Sequence, residues 1–283
     1  MAKISWASYP LKPAFSLPLV YRPCKITEVK VVYHPLYASE YPTAFVECPE
    51  RVEVIRKELE GLYPFVEPST AREEDVLLVH SQGLLEEVRA VAPLYPIAML
   101  AVGGAIEAAR IALGGEPAFA LIRPPGHHAS PDHYWGFCFF NNMAIAVERL
   151  IRDGEVNRVL ILDIDLHYGD GTANFFSGRQ DVTVVNIQEE DRERFIRRVF
   201  EALEDEAPYD MVAVSAGFDR YRLDWGGTLE GEDFWTIGRA IRQKADEVCS
   251  GRCFAVLEGG YYLPHLGRNV RLFLEGLAGG RNG

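Results

Sequence analysis

Short apolar runs alternate with longer helix-like stretches along most of the chain, and that alternation leaves few folds open. Val29–Tyr33, Phe119–Ile122, Arg158–Asp163, Val182–Ile187, Met211–Ser215 and Cys253–Leu257 are rich in β-branched or aromatic residues. Strands covered by helices on both faces read this way, because neither face needs polar side chains. Between them lie helix-like stretches at Pro49–Glu60, Ser81–Ala92, Tyr95–Leu113, Asn142–Arg152, Asp191–Glu206, Glu232–Cys249 and Leu263–Leu277. The pattern predicts an α/β fold, a single domain over residues 1–283 with a mainly parallel sheet flanked by helices on both faces. A chain of 283 residues without repeats or low-complexity tracts is long enough for one large domain.

Several function classes drop out early. With 29 Lys+Arg against 41 Asp+Glu the net charge is −12, which disfavours a nucleic-acid partner, since phosphate binding needs a basic footprint. The most apolar run, Ile97–Ile106, contains Gly103 and Gly104. It is half the roughly twenty residues a spanning helix needs, so it predicts a buried core helix and no membrane partner. Met1–Pro23 has no continuous apolar core of a secretory leader. The cysteines (Cys24, Cys48, Cys138, Cys249, Cys253) form no Cys-x-x-Cys pair and are odd in number. Reduced thiols and a cytoplasmic location are therefore expected.

In open parallel sheets ligands bind at the carboxyl ends of the strands. Four of the expected strands end there in polar, glycine-rich turns: Arg123-Pro-Pro-Gly-His-His128, Asp163-Ile-Asp-Leu-His-Tyr-Gly-Asp-Gly171, Ser215-Ala-Gly-Phe-Asp219 and Glu258-Gly-Gly-Tyr261. Asp165 and His167, two apart in extended chain, point the same way. With Asp219 they make a donor set of two carboxylates and one imidazole, which leaves positions open for water and substrate. Such a set suits zinc and also iron(II), cobalt or manganese. Taken alone, an Asp-x-His pair is more often a surface pair or a helix cap; beside the other three turns it reads as a metal site. His127 and His128 suit proton transfer, although two adjacent histidines by themselves are more often simply hydrogen-bonded. Asp163 and Asp170 are carboxylates available to orient them or to cap turns. Tyr261 offers a phenol to a developing oxyanion. Cys138 lacks an electropositive setting and reads as an inert buried thiol.

These turns together resemble the histone deacetylase superfamily, including acetylpolyamine amidohydrolases and acetoin-utilisation-type proteins. The matching segments are RPPGHHA (123–129), GFCFFNN (136–142), DIDLHYGDG (163–171), SAGFD (215–219) and LEGGY (257–261), with weaker matches at ECPERVEVI (47–55) and DVLLVHSQGLLEEV (75–88). The resemblance implies the arginase/deacetylase fold and zinc-dependent hydrolysis of a linear amide such as acetyl-lysine or an acetylated polyamine. It implies Asp165, His167 and Asp219 as zinc ligands. It pairs His127 with Asp163 and His128 with Asp170, makes Tyr261 the carbonyl-polarising residue, and puts Gly136 and Phe137 at one wall of the acyl tunnel. It also implies a structural potassium ion on backbone carbonyls around Asp163, Asp165 and His167.

The chain departs from that pattern in three places. Tyr168 stands where relatives usually have a second histidine. Between Asp181 and Asp210 relatives carry a longer stretch with glycine loops and a second tunnel aromatic, whereas Gln188-Glu-Glu-Asp-Arg-Glu-Arg-Phe195 here runs straight into a helix. Leu223-Asp-Trp-Gly-Gly227 replaces the usual Asp-Pro-Leu-Gly-Gly, which places Trp225 at the rim. An open-sided pocket is expected, or one completed by a second copy in a homo-oligomer. A ureohydrolase of the same fold is disfavoured by the lack of a second paired-aspartate motif. A metal-containing module that only binds acylated or cationic ligands is the alternative from outside enzymology.

Overall fold

The computed structural model describes residues 27–205 and 207–280. Cys24 and the stretch Met1–Pro23 lie outside them. Seven strands form one sheet: β1 (Lys30–Val32), β2 (Phe65–Val66), β3 (Ala118–Ala120), β4 (Val159–Asp163), β5 (Val182–Asn186), β6 (Met211–Ala216) and β7 (Cys253–Leu257). Their order is β2-β1-β3-β7-β6-β4-β5, and every pairing among the described strands is parallel. The central strands β3, β4, β6 and β7 are buried along their whole length, which is why their sequences show no polar alternation.

The longer helices are α1 (Glu50–Leu59), α3 (Gln82–Arg89), α4 (Leu94–Leu113), α5 (Asn142–Arg152), α7 (Arg192–Leu203), α8 (Gly231–Cys249) and α9 (Leu263–Leu277), with short α2 (Glu73–Val76) and α6 (Asp170–Phe175). They pack as two sets. Helices α3 and α5 both adjoin α4, while α1, α7, α8 and α9 form the other group. The fold is thus a parallel sheet with flanking helices, as expected. Helix α4 contains the expected buried run; it is long and apolar enough to cross a membrane by composition alone, but most of it packs inside the protein. A Cβ on Gly103 would lie 2.0 Å from the Ser69 carbonyl oxygen, so only glycine lets α4 approach that backbone.

Besides a 3-10 helix at Pro35–Ala38, three elements escaped the sequence pattern. Strand β2 has two residues, too few to show a period. Helix α2 is a single turn. The third is α6, which starts at Asp170 inside what reads as a turn.

Buried His80 ties the helical layer to the sheet edge. Its Nε2 accepts from the Asn141 backbone N–H at 2.8 Å, so its Nδ1 carries the proton and donates to the Ser130 carbonyl at 2.9 Å. Asn141 in turn caps α5 by accepting from Ala144 N–H. Burial pulls the His80 pKa down to about 4, partly offset by backbone carbonyls of Ser130 and Pro131. An unfolded histidine titrates near ~6.5. The contribution to stability is therefore complete above about 6.5 and is lost as the pH falls toward 4. We expect urea midpoints of the wild type to drop over that window more steeply than those of His80→Gln; parallel pH profiles would show that His80 is not the group responsible.

Candidate active site

The four strands with glycine-rich ends, β3, β7, β6 and β4, are consecutive neighbours in the sheet. All run parallel, so their carboxyl ends meet along one edge. In register, Asp163 sits beside Ser215, and Ser215 beside Val256. The turns that follow these residues therefore bring side chains from residues 123 to 261 into one cleft.

Asp165, His167 and Asp219 offer ligand atoms that all lie within 4.8 Å of one another. Nδ1 of His167 lies 3.2 Å from Asp165 Oδ1 and 3.3 Å from Asp219 Oδ2. Asp165 is buried and accepts from the backbone N–H groups of His167 and Gly259. Asp219 is fully buried; its Oδ1 accepts from Leu166 N–H, while Oδ2 has no well-aligned donor. Burial and the neighbouring Asp165 charge raise the Asp219 pKa to about 7. Hydrogen bonds to Asp165 and Asp219 raise that of His167 to about 10. Two buried carboxylates around an imidazolium are a site built to surround positive charge. Gly259 makes the convergence possible. A Cβ there would lie 2.6 Å from Asp165 Oδ2 and 2.7 Å from Asp219 Oδ2.

His127 and His128 are both buried, with ring centroids 4.1 Å apart. Nδ1 of His127 lies 3.0 Å from Asp163 Oδ2, and Nδ1 of His128 lies 2.7 Å from Asp170 Oδ1. Each histidine thus has its own carboxylate, which fixes ring orientation and turns Nε2 toward the cleft. Their environments diverge. Burial alone would lower His127, but the Asp163 and Asp165 carboxylates outweigh it and hold its pKa well above the usual value. Burial and the neighbouring His127 charge push His128 down to about 4. One imidazole is poised as a proton acceptor and the other as a donor, a division suited to acid–base chemistry.

The cleft has a volume of about 170 Å³, smaller than the roughly 300–1,000 Å³ of pockets that swallow a drug-sized ligand. Gly136, Phe137, Trp135, Trp225 and Tyr261 line it beside the histidines. Gly136 and Phe137 both have positive φ, 60° and 68°. For Phe137 this is a strained backbone, held where its ring faces Tyr261 at 6.2 Å. The half-exposed Trp225 stacks on Tyr261 with centroids 4.2 Å apart. Asp224 accepts from the backbone N–H groups of both Tyr261 and Tyr262, at 2.7 Å each. Among the described residues, none between 181 and 210 lines the cleft. Tyr168 is exposed and Cys138 fully buried, its thiol pKa raised well above the usual value by burial.

Several supporting residues were not singled out from the sequence. The Trp135 ring lies against His128 with centroids 3.8 Å apart, tilted by 30°, and its Nε1–H donates to Asp170, the same carboxylate that holds His128. Glu258 accepts from Gly126 and His127 N–H groups. Arg51 donates to the carbonyls of Glu258 and Gly260 and lies over the Tyr261 ring. Glu47 bridges Arg51 and Arg123, all three buried. Glu47 and Arg51 do lie in the weaker motif match at 47–55.

The donor set at Asp165, His167 and Asp219 fits a divalent ion, because the buried Oδ2 of Asp219, which has no well-aligned donor, faces the other two ligand atoms. The residues do not fit the potassium ion that the resemblance implied. The carbonyls of Asp165 and Leu166 already face the Arg220 guanidinium, whose fixed positive charge opposes a second cation there.

A parallel α/β sheet with paired His–Asp clamps beside a carboxylate-rich donor set is an arrangement suited to a hydrolase. The histone deacetylase domain model matches residues 45–196 and 187–277. A probable deacetylase of Methanothermobacter thermautotrophicus is 32% identical, over 88% of this chain and 90% of its own. A histone deacetylase-like amidohydrolase of Pseudomonas aeruginosa is 32% identical over 75% of this chain and 70% of its own. An acetylpolyamine amidohydrolase of Mycoplana ramosa is 32% identical over 64% and 63%. The crystal structure of the HDA15 HD domain superposes with a TM-score of 0.78 at 22% identity, covering 89% of this chain and 90% of that one. The chain belongs to the histone deacetylase family, whose members hydrolyse amides.

Gly259→Ala forces two carboxylates apart without removing either. We expect the variant to fold but to lose most of its divalent metal after dialysis, as measured by plasma mass spectrometry; wild-type metal content would show that the two carboxylates are not joint ligands.

Proposed function

We propose that the protein is a metal-dependent deacetylase that hydrolyses an N-acyl amide, an acetylated amine or acyl-lysine, to the free amine and a carboxylate. The observation that carries this reading is the pair of separately clamped histidines, tuned in opposite directions, beside the Asp165–His167–Asp219 set. Zinc is the ion we assign to that set; when bound, it supplies Lewis-acid polarisation and an acidified water.

The residues of the chain do the rest. His128, neutral at physiological pH, accepts the proton of the attacking water at Nε2. His127, kept protonated by Asp163, donates to the departing amine nitrogen. The Tyr261 hydroxyl donates to the developing oxyanion of the substrate carbonyl. Phe137 and Trp225 press on the acyl-amide from the rim. The small cleft and missing wall favour enclosure of the acyl end while the rest of the amine stays outside. This leaves room for bulky amines, each enclosed methylene being worth about 0.8 kcal/mol.

Two measurements test the reading. Turnover of a fluorogenic acetyl-lysine substrate should vanish with chelator and return with Zn²⁺; a metal-free protein that turns over normally would overturn it. Tyr261→Phe should fold normally and lose about 10²–10³ in kcat, and an unchanged kcat would make Tyr261 a packing residue.

A further inference from the structure

Arg220 directly follows Asp219 and is buried, with 2% of its surface exposed. Its guanidinium donates to four backbone carbonyls in two different strand-end loops. Nε donates to Asp165 O at 3.2 Å, and one terminal nitrogen to Leu166 O at 3.2 Å and Ile187 O at 3.1 Å. The other terminal nitrogen donates to Glu189 O at 3.0 Å. The group also lies over the ring of Phe195, fully buried on α7, at 4.9 Å. No carboxylate pairs with it among the partners described. A guanidinium stays protonated in proteins, so a permanent positive charge here is held directly by carbonyl oxygens, as a desolvated monovalent cation is, with the carboxylates of Asp219 and Asp165 close enough to favour it.

The placement explains two features that the family pattern leaves open. Residues 187–191 form a short connection from β5 into α7, without the longer loop expected from relatives. Arg220 supplies what that connection lacks, bonding to Ile187 and Glu189 at its start. The same group grips the carbonyls of Asp165 and Leu166, between the two β4-end ligands. A second cation on the Asp165 carbonyl would sit against this charge.

We propose that Arg220 is the resident cation of this edge of the sheet. It takes the place of a bound potassium ion, ties the loop after β4 to the loop after β5, and thereby positions Asp165, so the protein has no potassium requirement. The positioning claim rests on the assignment of Asp165, His167 and Asp219 as metal ligands; the claim of potassium independence does not.

The test compares wild type, Arg220→Ala and Arg220→Lys in potassium chloride and choline chloride of equal ionic strength. The readouts are thermal unfolding of the metal-free protein and Co²⁺ affinity followed by the visible absorption of the bound ion. Wild type is expected to have the same melting temperature in both salts, since a native state that bound potassium would be stabilised by it. Arg220→Ala is expected to bind Co²⁺ about 10–100-fold more weakly, the usual loss when a group that holds a ligand in place is removed. Low millimolar methylguanidinium should restore part of that affinity, and Arg220→Lys should fall between the two. A saturable rise in wild-type melting temperature specific to potassium would overturn the proposal. So would wild-type Co²⁺ affinity in Arg220→Ala. If that variant does not fold, the wild-type salt comparison and Arg220→Lys decide. If wild type fails to bind Co²⁺, the metal assignment is overturned, and the salt comparison still decides whether Arg220 replaces potassium.

Discussion

A carboxylate taken out of water must be surrounded by donors or positive charge, and the cleft is organised around one such group. Asp165 is 1% exposed. It receives N–H groups from its own turn at His167 and from the β7 turn at Gly259. His127 Nε2, from the β3 turn, lies 3.7 Å from its Oδ1. Through His167 it is linked to Asp219 after β6. Four strand ends thus meet at one side chain. That is possible only because β3, β7, β6 and β4 are adjacent and parallel. The sheet order is therefore the precondition of the chemistry.

Behind this edge, a second layer of buried charge sets the position of the residues that act. Glu47 joins Arg51 and Arg123, and Arg51 reaches the carbonyls of Glu258 and Gly260 next to Tyr261. Breaking a buried ion pair by removing one partner typically costs about 3–5 kcal/mol. The loop that carries Tyr261 is also gripped from the solvent side, where Asp224 accepts from the backbone of Tyr261 and Tyr262. A tyrosine whose loop is held from both sides is preorganised, which on the function proposed above would let its hydroxyl meet an oxyanion at little reorganisation cost.

Much of this was legible from residue order, because the motifs are local. Each strand-end turn carries its functional residues within a few positions of the strand that aims them, and buried parallel strands announce themselves by unbroken apolar runs. Of the site residues named from sequence, His127, His128, Gly136, Phe137, Asp165, His167, Trp225 and Tyr261 line one cleft, while Asp163, Asp170 and Asp219 lie behind it against His127, His128 and His167. Long-range partners were not legible. Arg220 next to a metal-type aspartate looks like any surface arginine until the fold places residues 165–189 around it. Trp135 reads as a loop aromatic, and nothing local signals that it shares Asp170 with His128. Strand β2 was missed because two residues have no period, and α6 because its first residue, Asp170, sits in a glycine-rich segment that reads as a turn.

The central claim is that Asp165, His167 and Asp219 jointly hold one divalent ion at the floor of the cleft. The most direct test is a crystal structure of the protein reconstituted with Zn²⁺, with anomalous data collected above and below the zinc absorption edge. The account predicts a single strong anomalous peak at about 2.0–2.2 Å from a carboxylate oxygen of each aspartate and a nitrogen of His167. A fully reconstituted crystal with the zinc peak elsewhere, or with no peak among these three side chains, would contradict it.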